Sequence, residues 1–126
     1  MSVQTVAKKF MDLCNQHKHF EVMKTMYAPE MVSVEGDGKE TVGKAAVIHK
    51  SEVWQGANAI QGGSLKGPFF CGNPEAKSGK FAVYSTVKFQ PKAGGEAQSH
   101  EEVGLYSVNN EMITREEFFY EGKFNI

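Results

Sequence analysis

Arg115 is the one arginine among fourteen basic residues, and it sits in the run TREEFF, residues 114–119. A guanidinium offers a planar fork that grips a carboxylate at two points, so an inward Arg115 would hold a ligand carboxylate or pin Glu117 or Glu102. Glu117 and Glu102 are the candidate general bases. A carboxylate enclosed by apolar walls binds its proton more tightly, which brings it into a useful range for proton transfer. Glu101 and Glu102 are adjacent, so only one of them faces inward on a strand. The same residues also read as a solvated ladder of alternating charge with Glu116, and the sequence leaves both readings open.

The other chemistry-bearing residues carry weaker signals. His49 lies within a helical pattern and suits proton transfer near neutrality, or simply a helix surface. His17 and His19 make a His-x-His pair with no third ligand, so no metal site is expected. His100 opens a strand and is expected to be exposed. Cys14 and Cys71 lack metal-ligand spacing, and unpaired thiols in a reducing compartment follow. Cys14 falls on the apolar face of a helix beside Phe10. Gly62-Gly63 lacks the Gly-Lys-Ser/Thr of a phosphate loop, and no cofactor is implied. Phe10, Tyr27, Trp54 and Tyr106 would wall an apolar cavity or fill a plain core. A buried tyrosine hydroxyl needs a partner in either case.

These residues must be positioned by one sheet and its helices. The last third of the chain reads as three long strands: KFAVYSTVKFQP (80–91), SHEEVGLYSVN (99–109) and EMITREEFFY (111–120), with Gly- and Asn-rich turns between them. Upstream, Ser2 or Thr5 caps a helix whose Val3, Val6, Ala7, Phe10, Leu13 and Cys14 share one face. A short helix over 20–27 ends at Pro29. A strand follows over 31–35, then the turn EGDGK, and a third helix over 44–55 opened by Gly43. Residues 59–72 read as a strand with bends or bulges. Helices come early and antiparallel strands late, which is an α+β layout.

The totals set limits. A chain of 126 residues is about one domain with a core of its own. Net charge is −1 with no basic run, so neither nucleic acid nor an anionic membrane is an expected partner. No apolar run reaches the about 20 residues that span a bilayer, and the N-terminus lacks the order of a signal peptide, so the protein is expected in the cytoplasm. Ala82, Tyr84 and Thr86 leave the second sheet face incompletely polar. A homodimer covering that outer face is expected.

The segments FMDLCNQHKHFEVMKTMYAPEMVSVEG, TVGKAAVIHKSEVW and NNEMITREEFFYEGKF, in this order, resemble the NTF2-like superfamily, and within it the SnoaL-like and ketosteroid-isomerase-like domains. The resemblance implies a cone-shaped barrel, with three N-terminal helices on a strongly curved, mostly antiparallel sheet around an apolar pocket. It implies that Glu102, Gly104, Tyr106 and Val108 line the pocket from one strand and Ile113, Arg115, Glu117 and Phe119 from the next. The isomerase roles carry over poorly. Phe10 stands at the tyrosine donor's position, Gly36 at the base's and Gly104 at the second acid's; a one-residue slip would put Glu35 or Asp37 in the base role.

Two functions follow as expectations. One is a module binding a small, largely apolar organic molecule against Phe10, Cys14, Tyr27, Trp54, Tyr106, Arg115 and Phe119. The other is a cofactor-independent isomerase, cyclase or dehydratase with Glu117 or Glu102 as base. The vacated isomerase positions favour the first, and a charged strand inside an aromatic wall favours the second.

Overall fold

The computed structural model describes residues 2–121. The first helix, α1 (Val3–Asn15), is capped by Ser2, whose Oγ accepts the Thr5 N–H at 3.2 Å. Its buried side is the apolar stripe Val3, Val6, Ala7, Phe10, Met11 and Cys14. The second helix, α2 (His19–Met26), passes without a loop into β1 (Tyr27–Val34). The expected strand start at Met31 is therefore corrected to Tyr27, and Pro29 lies inside the strand. A proline is tolerated there because the ladder to the neighbouring strand is interrupted: pairing holds at Tyr27 and resumes only at Val32.

A three-residue strand, β2 (Glu40–Val42), folds back on β1 and was not anticipated; it is too short to show a period. Gly43 then takes a φ of +96°, a backbone state that favours glycine, and opens α3 (Lys44–Ala57). The long strand β3 (Asn58–Cys71) carries the expected irregularities, at 60–62 and 66–69. The strands β4 (Ser78–Pro91), β5 (Gln98–Asn109) and β6 (Met112–Phe119) complete a six-stranded sheet of order β2-β1-β6-β5-β4-β3. All neighbours are antiparallel except β1 and β6.

The helices cover one face of this sheet. Phe81 is fully buried there, edge-on to Phe10 at 5.5 Å and stacked on Tyr106 at 5.2 Å. Burial of such a ring contributes about 1.5–3 kcal/mol, so this aromatic contact anchors helix to sheet. Cross-strand pairing fixes which residues share the inner face. Phe81 lies opposite Tyr106, Val83 opposite Gly104 and Ser85 opposite Glu102.

On β6 the alternation breaks. Val108 pairs with Ile113, but Ser107 pairs with Arg115, which leaves Thr114 as an extra residue. Its hydroxyl donates to the Ser107 carbonyl at 3.4 Å. An extra residue reverses which side chains point inward beyond it. Ile113 faces the core as expected. After the bulge, Glu116 and Phe118 point inward opposite Tyr106 and Gly104, while Arg115, Glu117 and Phe119 take the outer face. The expected inward placement of those last three is thereby corrected.

Candidate functional site

The bulge delivers one carboxyl into the core. Glu116 is only 3% exposed. The Tyr27 hydroxyl donates to its Oε1, and Ser33, fully buried, stands opposite it on β1. Burial raises the Glu116 pKa above the ordinary carboxyl value. The Tyr27 bond, the neighbouring Ser33 hydroxyl and the charge of Lys50 oppose that shift, and Glu35 adds to it. Burial and the nearby Glu116 charge likewise push the Tyr27 and Tyr106 hydroxyls well up. They push the Cys14 thiol to about 12. The two tyrosine hydroxyls and the thiol are thereby held neutral.

From Glu116 the polar contacts run outward. Lys50, midway along α3, sends its ammonium to Ser33 Oγ at 2.9 Å and to Glu35 Oε1 at 2.6 Å. The Tyr120 hydroxyl donates to the other Glu35 oxygen at 2.9 Å. Burial and the Glu35 carboxylate hold Tyr120 up at about 12, against a bond to the Gly36 backbone. Tyr120 meets the ring of His100 edge-on at 4.9 Å, and His100 Nε2 lies 3.3 Å from Glu102 Oε2. An open groove of about 480 Å³ lies here, walled by His100, Glu102, Val103, Phe119 and Tyr120 among others. Among the described residues no three His, Cys, Asp or Glu side chains gather as metal ligands.

The family model described as a SnoaL-like domain matches residues 1–120. The chain belongs to the SnoaL-like family. A candidate SnoaL-like polyketide cyclase from Mesorhizobium loti shares 33% identity over 95% of this chain and 100% of its own, with a TM-score of 0.86. An NTF2-like protein of unknown function from Exiguobacterium has the same fold at 14% identity, covering 94% and 99% of the two chains with a TM-score of 0.71. A candidate polyketide cyclase from Pseudomonas putida does so at 14% identity over 96% and 92%, with a TM-score of 0.70. No curated protein sequence matches the chain.

In this SnoaL-like chain the residues singled out from sequence separate into groups. Phe10, Cys14, Tyr27 and Tyr106 are all buried in one core cluster around Glu116. Trp54 stands apart, edge-on to Phe89 at 5.2 Å. Glu102 is on the inner face beside His100, which is partly buried and not exposed as expected. Arg115 pairs on the outer face with Glu117 at 3.4 Å and with Glu40 at 3.6 Å. Phe119 is 54% exposed on that face.

Two of the positions that the resemblance implied were vacated, Gly36 and Gly104, leave no room for a side chain. A Cβ on Gly36 would meet the Tyr120 ring at 2.9 Å, and one on Gly104 would meet the Tyr106 hydroxyl at 2.8 Å. Tyrosine rings fill the space that a side chain at either position would need. Asp37, the alternative base, instead accepts the Lys39 N–H within the 35–39 turn. Glu116, Ser33, Lys50 and Tyr120 escaped the sequence reading. The adjacency of Glu116 and Glu117 was the only signal, and it cannot say which of them points in.

Proposed function

We propose that this SnoaL-like protein binds a small, largely apolar organic molecule in the groove where β5 begins and β6 ends. The observation that carries the reading is the joint lining of that groove by rings and by polar groups held in place: Phe119 and Tyr120 beside the His100–Glu102 pair. Apolar surface supplies affinity, while a few fixed polar groups set orientation. A molecule with an aromatic body and one carbonyl or hydroxyl group fits that chemistry. The test is an NMR titration with simple aryl ketones and phenols. Shifts centred on His100, Val103 and Tyr120, lost in Val103→Glu, support the reading. Shifts scattered over the surface, or centred on another face, reject it.

A second reading is favoured by the His100–Glu102 contact at 3.3 Å inside the groove. A carboxylate steadied by an imidazole is suited to take a proton from carbon next to a carbonyl, as cofactor-free cyclisation or isomerisation requires. Glu102 is the base in this reading, and the Tyr120 hydroxyl steadies the developing oxyanion. Glu117 is set aside because it is paired with Arg115 and is not part of the groove lining. Deuterium uptake at the α-carbon of an aryl ketone in D₂O would be faster with the protein present and lost in Glu102→Gln. No acceleration over buffer leaves the binding reading alone.

A second copy of the chain is the partner we propose for the outer sheet face. Phe69 is 56% exposed there, on the face the helices leave bare and away from the groove. Light scattering at micromolar concentration should give twice the chain mass, and Phe69→Glu should halve it. The two cysteines form no disulfide, in keeping with the reducing cytoplasm proposed as its location. Among the described residues no helix is long and apolar enough to cross a membrane.

A further inference from the structure

We propose that the groove takes an organic cation: a small molecule with an aromatic body and a protonated or quaternary amine. Three carboxylates border the groove, Glu101, Glu102 and Glu121, together with the rings of Tyr84, Phe119 and Tyr120. No lysine or arginine stands among the described lining residues. The inference rests on the reading of this groove as the ligand site, and it adds the sign of the ligand's charge.

The fold explains how these groups gather. The pairing of β6 with β5 ends at Phe119, opposite Val103, so among the described residues β5 has no strand on that side over 98–102. The groove lies along this open edge. Glu101 and Glu102 are consecutive on β5, so their side chains leave opposite faces of the strand and border the groove from two sides. Glu101 accepts the Tyr84 hydroxyl at 2.5 Å on the outer face, and Glu102 lies 3.3 Å from His100 Nε2 on the inner one. Glu121 follows Tyr120 beyond the end of β6 and is exposed. Among the described residues no lysine or arginine forms an ion pair with any of the three. Lys66 and Lys88 stand across the sheet from Tyr84 and Ser99, but both are exposed and outside the lining.

Like charges held in one cleft focus a negative potential into it, and that potential attracts a counter-ion. Three carboxylates leave an excess of negative charge whichever form the His100 ring takes. A bare metal ion is a poor match for it. Such an ion needs oxygens converging to about 2.0–2.6 Å of one point, and among the described residues no three such side chains gather. An organic ammonium is larger and its charge is spread over its substituents, so it is attracted by carboxylates on two sides at once. The negative face of an aromatic ring attracts the same group. Rings and carboxylates therefore act in the same sense for a cation. A ligand carboxylate would gain only apolar contact from the rings and would be repelled by Glu101, Glu102 and Glu121.

The experiment compares benzylammonium, benzyl alcohol and benzoate, three probes of similar shape and different charge, by NMR titration near neutral pH and at low salt. Shifts should centre on Tyr84, His100, Val103 and Tyr120. Benzylammonium should bind about tenfold tighter than benzyl alcohol, with benzoate weakest. Added salt should narrow the gap, because screening weakens the attraction of the cation and leaves the neutral probe alone. Glu101→Gln removes one charge and keeps the shape, so it should weaken benzylammonium several-fold and leave benzyl alcohol unchanged. Glu121→Gln, at an exposed position, should do the same and stands in if Glu101→Gln fails to fold. Benzyl alcohol binding in the groove as tightly as benzylammonium overturns the charge inference while the groove remains the ligand site. So does a gap between the two probes that neither Gln variant narrows. Shifts centred on another face for every probe, or no shifts at all, overturn the groove reading and this inference with it.

Discussion

The Tyr106 ring lies across the Cα of Gly104, two residues earlier on its own strand: a methyl added at Gly104 would sit 2.8 Å from the Tyr106 hydroxyl and 2.9 Å from the ring's Cε2. The ring cannot swing away, because Phe10 lies 4.5 Å from it, Phe81 stacks at 5.2 Å and Phe118 stands edge-on at 6.4 Å. Gly104→Ala should therefore destabilise the fold by about 1–3 kcal/mol, the usual range for overpacking a core. Urea unfolding measures this. In a Tyr106→Leu background the same change should cost much less, because the atoms that collide are gone.

The Glu116 carboxyl titrates higher in the folded chain than in the unfolded one, chiefly because it is buried. The folded state therefore holds this proton more tightly, and the associated stability is fully present below the ordinary value of 4.5 and is lost as pH rises through the folded pKa. Glu116→Gln has no such proton. The stability of the wild type relative to Glu116→Gln should fall as pH rises above 4.5 and level off once Glu116 is ionised. Denaturant melts at a series of pH values read the difference directly. A rise in place of a fall would mean that Tyr27, Ser33 and Lys50 outweigh burial.

Lys50 lies on Glu35 with side-chain exposures of 16% and 10%, a pair largely out of water. Lys50→Met leaves a carboxylate with little solvent and, among the described residues, Tyr120 as its side-chain partner. The expected cost is about 2–3 kcal/mol, below that of breaking a fully enclosed pair. Removing the ammonium also removes a charge that lowers the Glu116 pKa, so Glu116 should titrate higher still in this variant. Carboxyl NMR and denaturant melts report the two effects separately.

The two thiols should differ in reactivity. Cys14 is buried and its pKa is pushed to about 12, so almost no thiolate forms near neutrality. Cys71 is exposed at the end of β3. A thiol reagent should modify one cysteine in native protein and two after denaturation, and Cys71→Ser should abolish the native reaction.

A Cβ at Gly36 would press on the Tyr120 ring at 2.9 Å. Gly36→Ala should push the ring outward and break its bond to Glu35. The Tyr120 pKa, held near 12 by burial and that carboxylate, should then fall toward the ordinary value of 10. Ultraviolet titration against a Tyr120→Phe control measures it.

Particular residues show where sequence reasoning reached and where it stopped. The α1 stripe from Val3 to Cys14, the Ser2 cap and the three-strand meander were legible, because local period and cap chemistry are carried by neighbours in the chain. The irregular ladder of β3 was legible from Gly62-Gly63 and Gly67-Pro68. The strand β2 and the early start of β1 were not: three residues show no alternation, and a proline reads as a stop unless the partner strand is known to leave a gap.

The sequence by itself determined the α+β layout, the family resemblance and the supply of carboxylates, tyrosines and rings, since composition and periodicity are local properties of the chain. Only the tertiary structure decided that Glu116, and not Glu117, enters the core, and that Tyr106 and Tyr120 fill the space above Gly104 and Gly36. The physical reason is the single extra residue at Thr114. A strand alternates with period two, so one bulge reverses every side chain after it, and whether a bulge forms depends on the register of a neighbouring strand that the β6 segment does not contain.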